Sequence, residues 1–183
     1  MDHYIDIVLK PDAEMRENVL MNKVYTKFHK ALVTLRSESI GVSFPRYQVK
    51  LGNILRIHGN AASLNDIQGI DWLGGLVGYC EVRESMCVPE NTKYRVVSRK
   101  QNNMTMAKLN RLIKRGSIAP DEMKTYKAKM FGQGLDNPYV ELASCSNGHK
   151  HRRFIAFGKL VDKPVVGRFS PFGLSKIATV PWF

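Results

Sequence analysis

An imidazole and two hydroxyls are the groups in this 183-residue sequence best suited to moving a proton: His29, in "YTKFHKAL", with Ser144 and Ser146, in "ASCSNG". Histidine exchanges its proton near neutral pH, and a hydroxyl can hold the group it acts on, so the set fits general acid–base chemistry. No carboxylate pair or Gly-rich Walker loop competes. A lone histidine at the margin of an apolar helix stripe is more often a partly buried structural residue, so both readings of His29 stand here. The run "HKH", His149 to His151, puts two imidazoles two residues apart with no evident third ligand. That is a weak metal signal, and neither a metal nor another cofactor is expected.

A second set of residues calls for a polyanion. In "MTMAKLNRLIKRG", a helix of about 100° per residue puts Lys108, Arg111, Lys114 and Arg115 on one side and Met106, Leu109, Leu112 and Ile113 on the other. Thr105 can cap it and Gly116 can end it. A solvated face is the usual fate of a charge run, but such helices mix in Glu or Asp, and no acid occurs from 102 to 120. Just upstream, Arg99 and Gln101 alternate along an extended segment and project to the same side. Arg matches the O6/N7 edge of guanine and Gln the N6/N7 edge of adenine.

The charge distribution agrees. The net charge is +12, yet residues 1–92 hold 10 Lys/Arg against 11 Asp/Glu while residues 93–183 hold 18 against 5. Such asymmetry favours a nucleic acid, ahead of an anionic membrane because no Trp/Phe-faced amphipathic helix accompanies it. No apolar run is long enough to span a bilayer, and "MDHYIDIVLKPD" lacks the regions of a signal peptide, so no membrane partner and a cytoplasmic location are expected. Cys80, Cys87 and Cys145 show no metal or disulfide spacing and read as buried, reduced thiols.

These residues need elements to position them. "YIDIVL" reads as a strand, and Leu20, Val24, Phe28, Ala31 and Leu35 give a helical period that carries His29. "IGVSFP" and "ILRIHGN" read as strands, Ser63 with Asp66 as a capping-box-like helix start, and "LVGYCEVRESMCVP" as holding a last strand. The order is β-α-β-β-α-β, the ferredoxin-like arrangement, so the predicted class is α+β: a ferredoxin-like domain at 1–92 and a basic α+β domain at 93–183. In the latter, "KYRVVSRKQ", "YVELASCS" and "RRFIAFGKLV" read as strands, with a turn at Asn147-Gly148. "PDEMKTYKAKM" reads as a helix headed by Pro120.

From "MDHYIDI" through "IGVSFP", "LRIH", "YRVVSRKQ", "SCSNG" and "FGLSK" to "VPWF", the chain resembles, end to end, the repeat-processing endoribonucleases of type I-F CRISPR systems. The resemblance implies that the basic helix enters the major groove of a short RNA hairpin. It gives His29 proton transfer to or from an attacking 2′-hydroxyl, Ser144 the holding of that hydroxyl, and Ser146 the place of the second serine. Arg99 and Gln101 would read the foot of the stem, with Lys108, Arg111, Lys114 and Arg115 on the groove helix. His151, where the family has a stacking aromatic, and Arg152 complete the RNA-binding set. Phe172 stands where the family has a tyrosine. The implied activity is metal-independent cleavage of the CRISPR repeat stem-loop on the 3′ side of the stem, leaving a 2′,3′-cyclic phosphate. The product would stay bound within a type I-F surveillance complex of antiviral defence. The two departures, His151 and Phe172, keep a non-cleaving hairpin-binding subunit as the alternative.

Overall fold

The strongest helical period becomes the longest helix, α1 (Glu17–Leu35), which buries Leu20, Met21, Val24, Tyr25, Phe28, Ala31 and Leu32 and leaves His29 half-buried at the margin. The computed structural model describes residues 1–101, 106–119, 121–132, 137–143 and 150–183, without the side chains of 129–132 and 143. Thr105, Pro120, Ser144, Cys145, Ser146, the Asn147-Gly148 turn and His149 lie outside the described residues.

Strands β1 (His3–Leu9), β2 (Gly41–Ser43), β3 (Ile54–Gly59) and β4 (Cys80–Val82) form an antiparallel sheet in the order β2-β3-β1-β4. A two-residue strand, β5 (Met86–Cys87), pairs with the start of β1. Helices α1 and α2 (Ala61–Gly69) touch each other and pack on the sheet, and a 3₁₀ turn at Gly74–Tyr79 leads into β4. The element order is the β-α-β-β-α-β order expected. The start of α2 is not: Asn60, not Ser63, is the cap, its side-chain oxygen accepting the Ser63 N–H at 2.8 Å. Asn60 is extended, as an N-cap must be, whereas Ser63 already lies inside the helix. Cys80 is buried as expected, but Cys87 is exposed, because β5 covers only the sheet margin.

A second sheet joins β6 (Lys93–Lys100), β7 (Tyr139–Ala143), β8 (Lys150–Phe157) and β9 (Thr179–Trp182) in the order β7-β8-β6-β9. Pro181 lacks an N–H, which an edge strand such as β9 tolerates. Residues 1–99 and 138–183 form one compact unit and 100–137 another. Within the larger unit the C-terminal tail packs back on the first sheet. At Gly41 an added Cβ would lie 2.7 Å from Val180 and 2.8 Å from Phe169, a separation only glycine allows.

The smaller unit holds α3 (Met106–Lys114) and α4 (Glu122–Gly132). Gly116, at φ +66°, ends α3 as expected: its N–H and that of Ser117 reach the carbonyls of Ile113 and Leu112. Glu122 closes the start of α4, accepting the Ala119 N–H at 3.0 Å while donating its own N–H to the Ala119 carbonyl.

One buried group makes stability pH-dependent. His58 on β3 is fully buried, its Nε2 2.7 Å from Ser43 Oγ, and burial followed by the Arg56 charge lowers its pKa to about 3. The folded chain therefore refuses a proton that the unfolded chain takes up below about 6.5. Stability is full above that pH and is lost as pH falls towards 3, at about 1.4 kcal/mol per unit for a site shifted this far. Urea unfolding at pH 7 and pH 5 should show this slope in the wild type and a flatter one in His58→Gln.

Candidate active site

His29 is fixed from both sides by the C-terminal segment. Its Nδ1 lies 2.7 Å from the Pro171 carbonyl oxygen, and its ring stacks on Phe172 at 3.7 Å with planes 9° apart. A carbonyl only accepts, so Nδ1 carries the proton and the neutral ring presents its lone pair on Nε2. Burial holds the imidazole below the ordinary histidine value. The Pro171 contact opposes this, and the charges of Arg153 and Lys30 add to the lowering. The ring is therefore neutral at physiological pH, with a basic nitrogen free to accept a proton.

The loop that supplies Pro171 is pinned by three elements. The Tyr25 hydroxyl of α1 donates to the Phe172 carbonyl at 2.7 Å, Val42 N–H of β2 to the Gly173 carbonyl at 3.0 Å, and Ser175 N–H to the Val97 carbonyl of β6 at 3.0 Å. Gly173, at φ +68°, makes the turn, and a Cβ there would press on Val42 at 2.9 Å. Phe172 thus reaches the site through its ring and its backbone. β7 is tied beside the same helix by its Glu141 N–H, which donates to Asn22 Oδ1 at 2.9 Å. Ser144 and Ser146 follow β7 in the chain but lie outside the described residues.

The strand β8 separates two residues that the sequence placed together. Arg152 lies over the Tyr139 ring at 4.6 Å with Nε 3.7 Å from the Glu141 carboxylate, so its charge is partly compensated on that face. Alternation puts His151 and Arg153 on the other face, with the buried Ile155. Arg153 was not singled out in the sequence, yet its Cζ lies 3.6 Å from the Phe172 ring centre. His29 and Arg153 are each too close to that ring to share a face, so they occupy opposite sides of it. The only sequence signal was the pair of arginines in "HRRF", and the face of each follows from register alone.

Arg99, at the end of β6, is exposed and its charge acts on Arg153. In the smaller unit, Gln101, Lys108, Arg111, Lys114 and Arg115 are exposed. Leu109 is buried and Leu112 half-buried, as the apolar stripe requires, while Met106 and Ile113 are exposed at 46% and 37%. Among the described residues no three His, Cys, Asp or Glu side chains come together as a metal site, and no helix is long and apolar enough to cross a membrane.

The family model for "CRISPR-associated protein (Cas_Csy4)" matches residues 4–183. The chain is 37% identical over 184 residues to the "CRISPR-associated endonuclease Cas6/Csy4" of Escherichia coli (strain UTI89 / UPEC), covering 100% of both chains. It is 39% identical over 187 residues to the protein of the same name from Pseudomonas aeruginosa (strain UCBPP-PA14), again covering 100% of both. A solved structure described as "Structure A of CRISPR endoribonuclease Cse3 bound to 19 nt RNA" is a distant likeness, with TM-score 0.39 and 12% identity over 98% of this chain and 100% of that one. A match of this extent to one family places the chain in the Csy4 family of CRISPR-associated endonucleases.

Proposed function

We propose that this endonuclease binds the stem-loop of a CRISPR repeat transcript and cuts it on the 3′ side of the stem without a metal ion. The observation that carries the chemistry is the Nδ1 contact to Pro171, which fixes the tautomer and leaves Nε2 of His29 as a base. His29 Nε2 takes the proton from the 2′-hydroxyl upstream of the scissile phosphate. The 2′-oxygen then bonds to phosphorus, and the bond to the 5′-oxygen of the next nucleotide breaks. The products are a 2′,3′-cyclic phosphate and, once protonated, a 5′-hydroxyl. Ser144 would hold the attacking hydroxyl, with Ser146 beside it in sequence, and Phe172 orients the imidazole. Arg99 and Gln101 read the foot of the stem, with His151 and Arg152 beneath it. The exposed cations of α3 and Arg115 take the backbone, and the enzyme keeps its product as part of a cytoplasmic crRNA-guided type I-F complex.

A labelled repeat hairpin incubated with protein and EDTA tests this directly. Cleavage in EDTA, a cyclic-phosphate end and no cleavage when the upstream 2′-hydroxyl is replaced by hydrogen are expected. A deoxy substrate that is still cut would mean that water attacks, and an uncut but tightly bound hairpin would favour the non-cleaving subunit.

Salt separates backbone contacts from base reading. Each lost phosphate contact should flatten the slope of log K against log[salt] by roughly 0.7 to 0.9. Arg111→Ala and Arg115→Ala should each lower affinity and slope together in a filter-binding titration across salt concentrations. Unchanged slopes would take those residues out of backbone binding.

A further inference from the structure

We propose that Arg153 is a positioning residue for His29: it holds Phe172 against the imidazole and its charge keeps the Nε2 lone pair free of a proton. The proposal rests on the reading of His29 as the base. It starts from three groups in a stack, the imidazole 3.7 Å from the Phe172 ring and the guanidinium carbon 3.6 Å from that ring on its other side. A ring held on both faces cannot rotate out of the stack without losing one contact, so Arg153 restricts the orientation of His29 through Phe172.

Two further observations separate Arg153 from an ordinary surface arginine. It is half-buried, and its Nε is buried without a hydrogen-bond partner among the described residues. No carboxylate in the described residues forms an ion pair with it. Arg152, one residue earlier, has both a ring and the Glu141 carboxylate, so the uncompensated charge is placed on the His29 side of β8. An unneutralised cation in a half-buried site acts at longer range than one in water.

The two stacking distances put the guanidinium carbon roughly 7 Å from the imidazole centre. A unit charge at that separation opposes protonation of the imidazole, adding to the lowering that burial causes. Among the described residues, the other groups around the imidazole are Lys30 and Tyr25 on α1, the latter bonded to the Phe172 carbonyl. Arg99 on β6 acts on Arg153, and the Ser170–Ser175 loop contributes no charge. Arg153 is therefore the cation that β8 supplies to this histidine.

The experiment is an NMR titration of the His29 imidazole in the full-length, RNA-free protein, paired with single-turnover cleavage of a repeat hairpin from pH 5 to pH 8. Arg153→Met retains an apolar contact on Phe172 and removes the charge. It should raise the His29 titration midpoint and the acid limb of the rate profile together. Arg153→Lys should return both to the wild-type position. Arg153→Ala, which bares one face of Phe172, should also lower the plateau rate several-fold while KM stays near the wild-type value. An unchanged midpoint and acid limb in Arg153→Met would overturn the proposal. So would a loss in Arg153→Ala confined to affinity with a flatter salt slope, since that is the signature of a phosphate contact. A wild type that binds but does not cut would remove the nuclease reading instead, and the NMR titration would still decide whether Arg153 controls the imidazole.

Discussion

His29→Ala should lower the single-turnover rate of hairpin cleavage by about 10²- to 10⁴-fold, the range of a lost general acid or base, with hairpin affinity near the wild-type level. The separation of rate from binding follows from the site. The imidazole is half-buried against Phe172 and spends its Nδ1 proton on Pro171, so the group it offers outward is one lone pair. Affinity is assigned to the exposed cations of α3 and to Arg99, whose charges the substitution leaves in place. The wild-type rate should follow the neutral imidazole, falling as pH drops through a midpoint below the ordinary histidine value, because burial and then the Arg153 and Lys30 charges disfavour the protonated ring. His29→Ala should lose that acid limb along with the rate, and added imidazole should restore part of it. A variant that cuts at the wild-type rate would show that the proton leaves by another route.

How much of this could be read from the chain depends on sequence distance. The residue type and helix position of His29 were legible because α1 is set by a local period, and Leu20, Val24, Phe28 and Ala31 are buried as that period required. Its tautomer was not legible, because the deciding carbonyl, Pro171, is 142 residues away and arrives only when the loop is tied to Tyr25, Val42 and Val97. Arg153 was missed for a related reason. Two adjacent arginines on a strand face opposite ways, and only the pairing of β8 with β7 tells which one meets Phe172. The α2 cap shows a smaller failure: Ser63 and Asn60 are both good caps, and the choice between them rests on where the chain leaves β3. The tail from Arg168 onward showed no strand signal, since a four-residue run containing Pro181 fits only as an edge beside β6. The position of Phe172 came from the family resemblance and not from any pattern in the residues. The exposed cations at 108–115 agree with the charge asymmetry of the sequence, which is local information of the same kind as the α1 period.

Asp6→Ala should destabilise the fold by about 3 to 5 kcal/mol, because it leaves a buried guanidinium without its counter-charge. Arg56 is 8% exposed and Asp6 3%, and the two are joined in a fork, Nε to Oδ1 at 2.7 Å and Nη2 to Oδ2 at 2.9 Å. The remaining arm of Arg56 donates to the Phe183 carbonyl at 3.0 Å, and its cation lies over the Phe183 and Tyr4 rings at 4.0 and 4.6 Å. Water cannot replace the lost carboxylate at so small an exposure. An open pair such as Lys93 with Asp162, 4.0 Å apart and largely exposed, is worth at most about 1 kcal/mol by comparison. For a chain of this size the loss corresponds to a fall in Tm of roughly 6 to 20 °C. If the penalty is the stranded charge, Asp6→Leu with Arg56→Met should recover most of the stability, because replacing a buried pair by apolar residues of similar volume is often neutral or favourable. The double variant still lacks the anchor on the Phe183 carbonyl, at the end of the segment that carries the Pro171 loop and β9. It should therefore regain its Tm in a thermal melt while cleaving more slowly than the wild type. A double variant as unstable as Asp6→Ala would mean that this corner depends on the fork itself, and that the cost of the single change is lost hydrogen bonding and not an uncompensated charge.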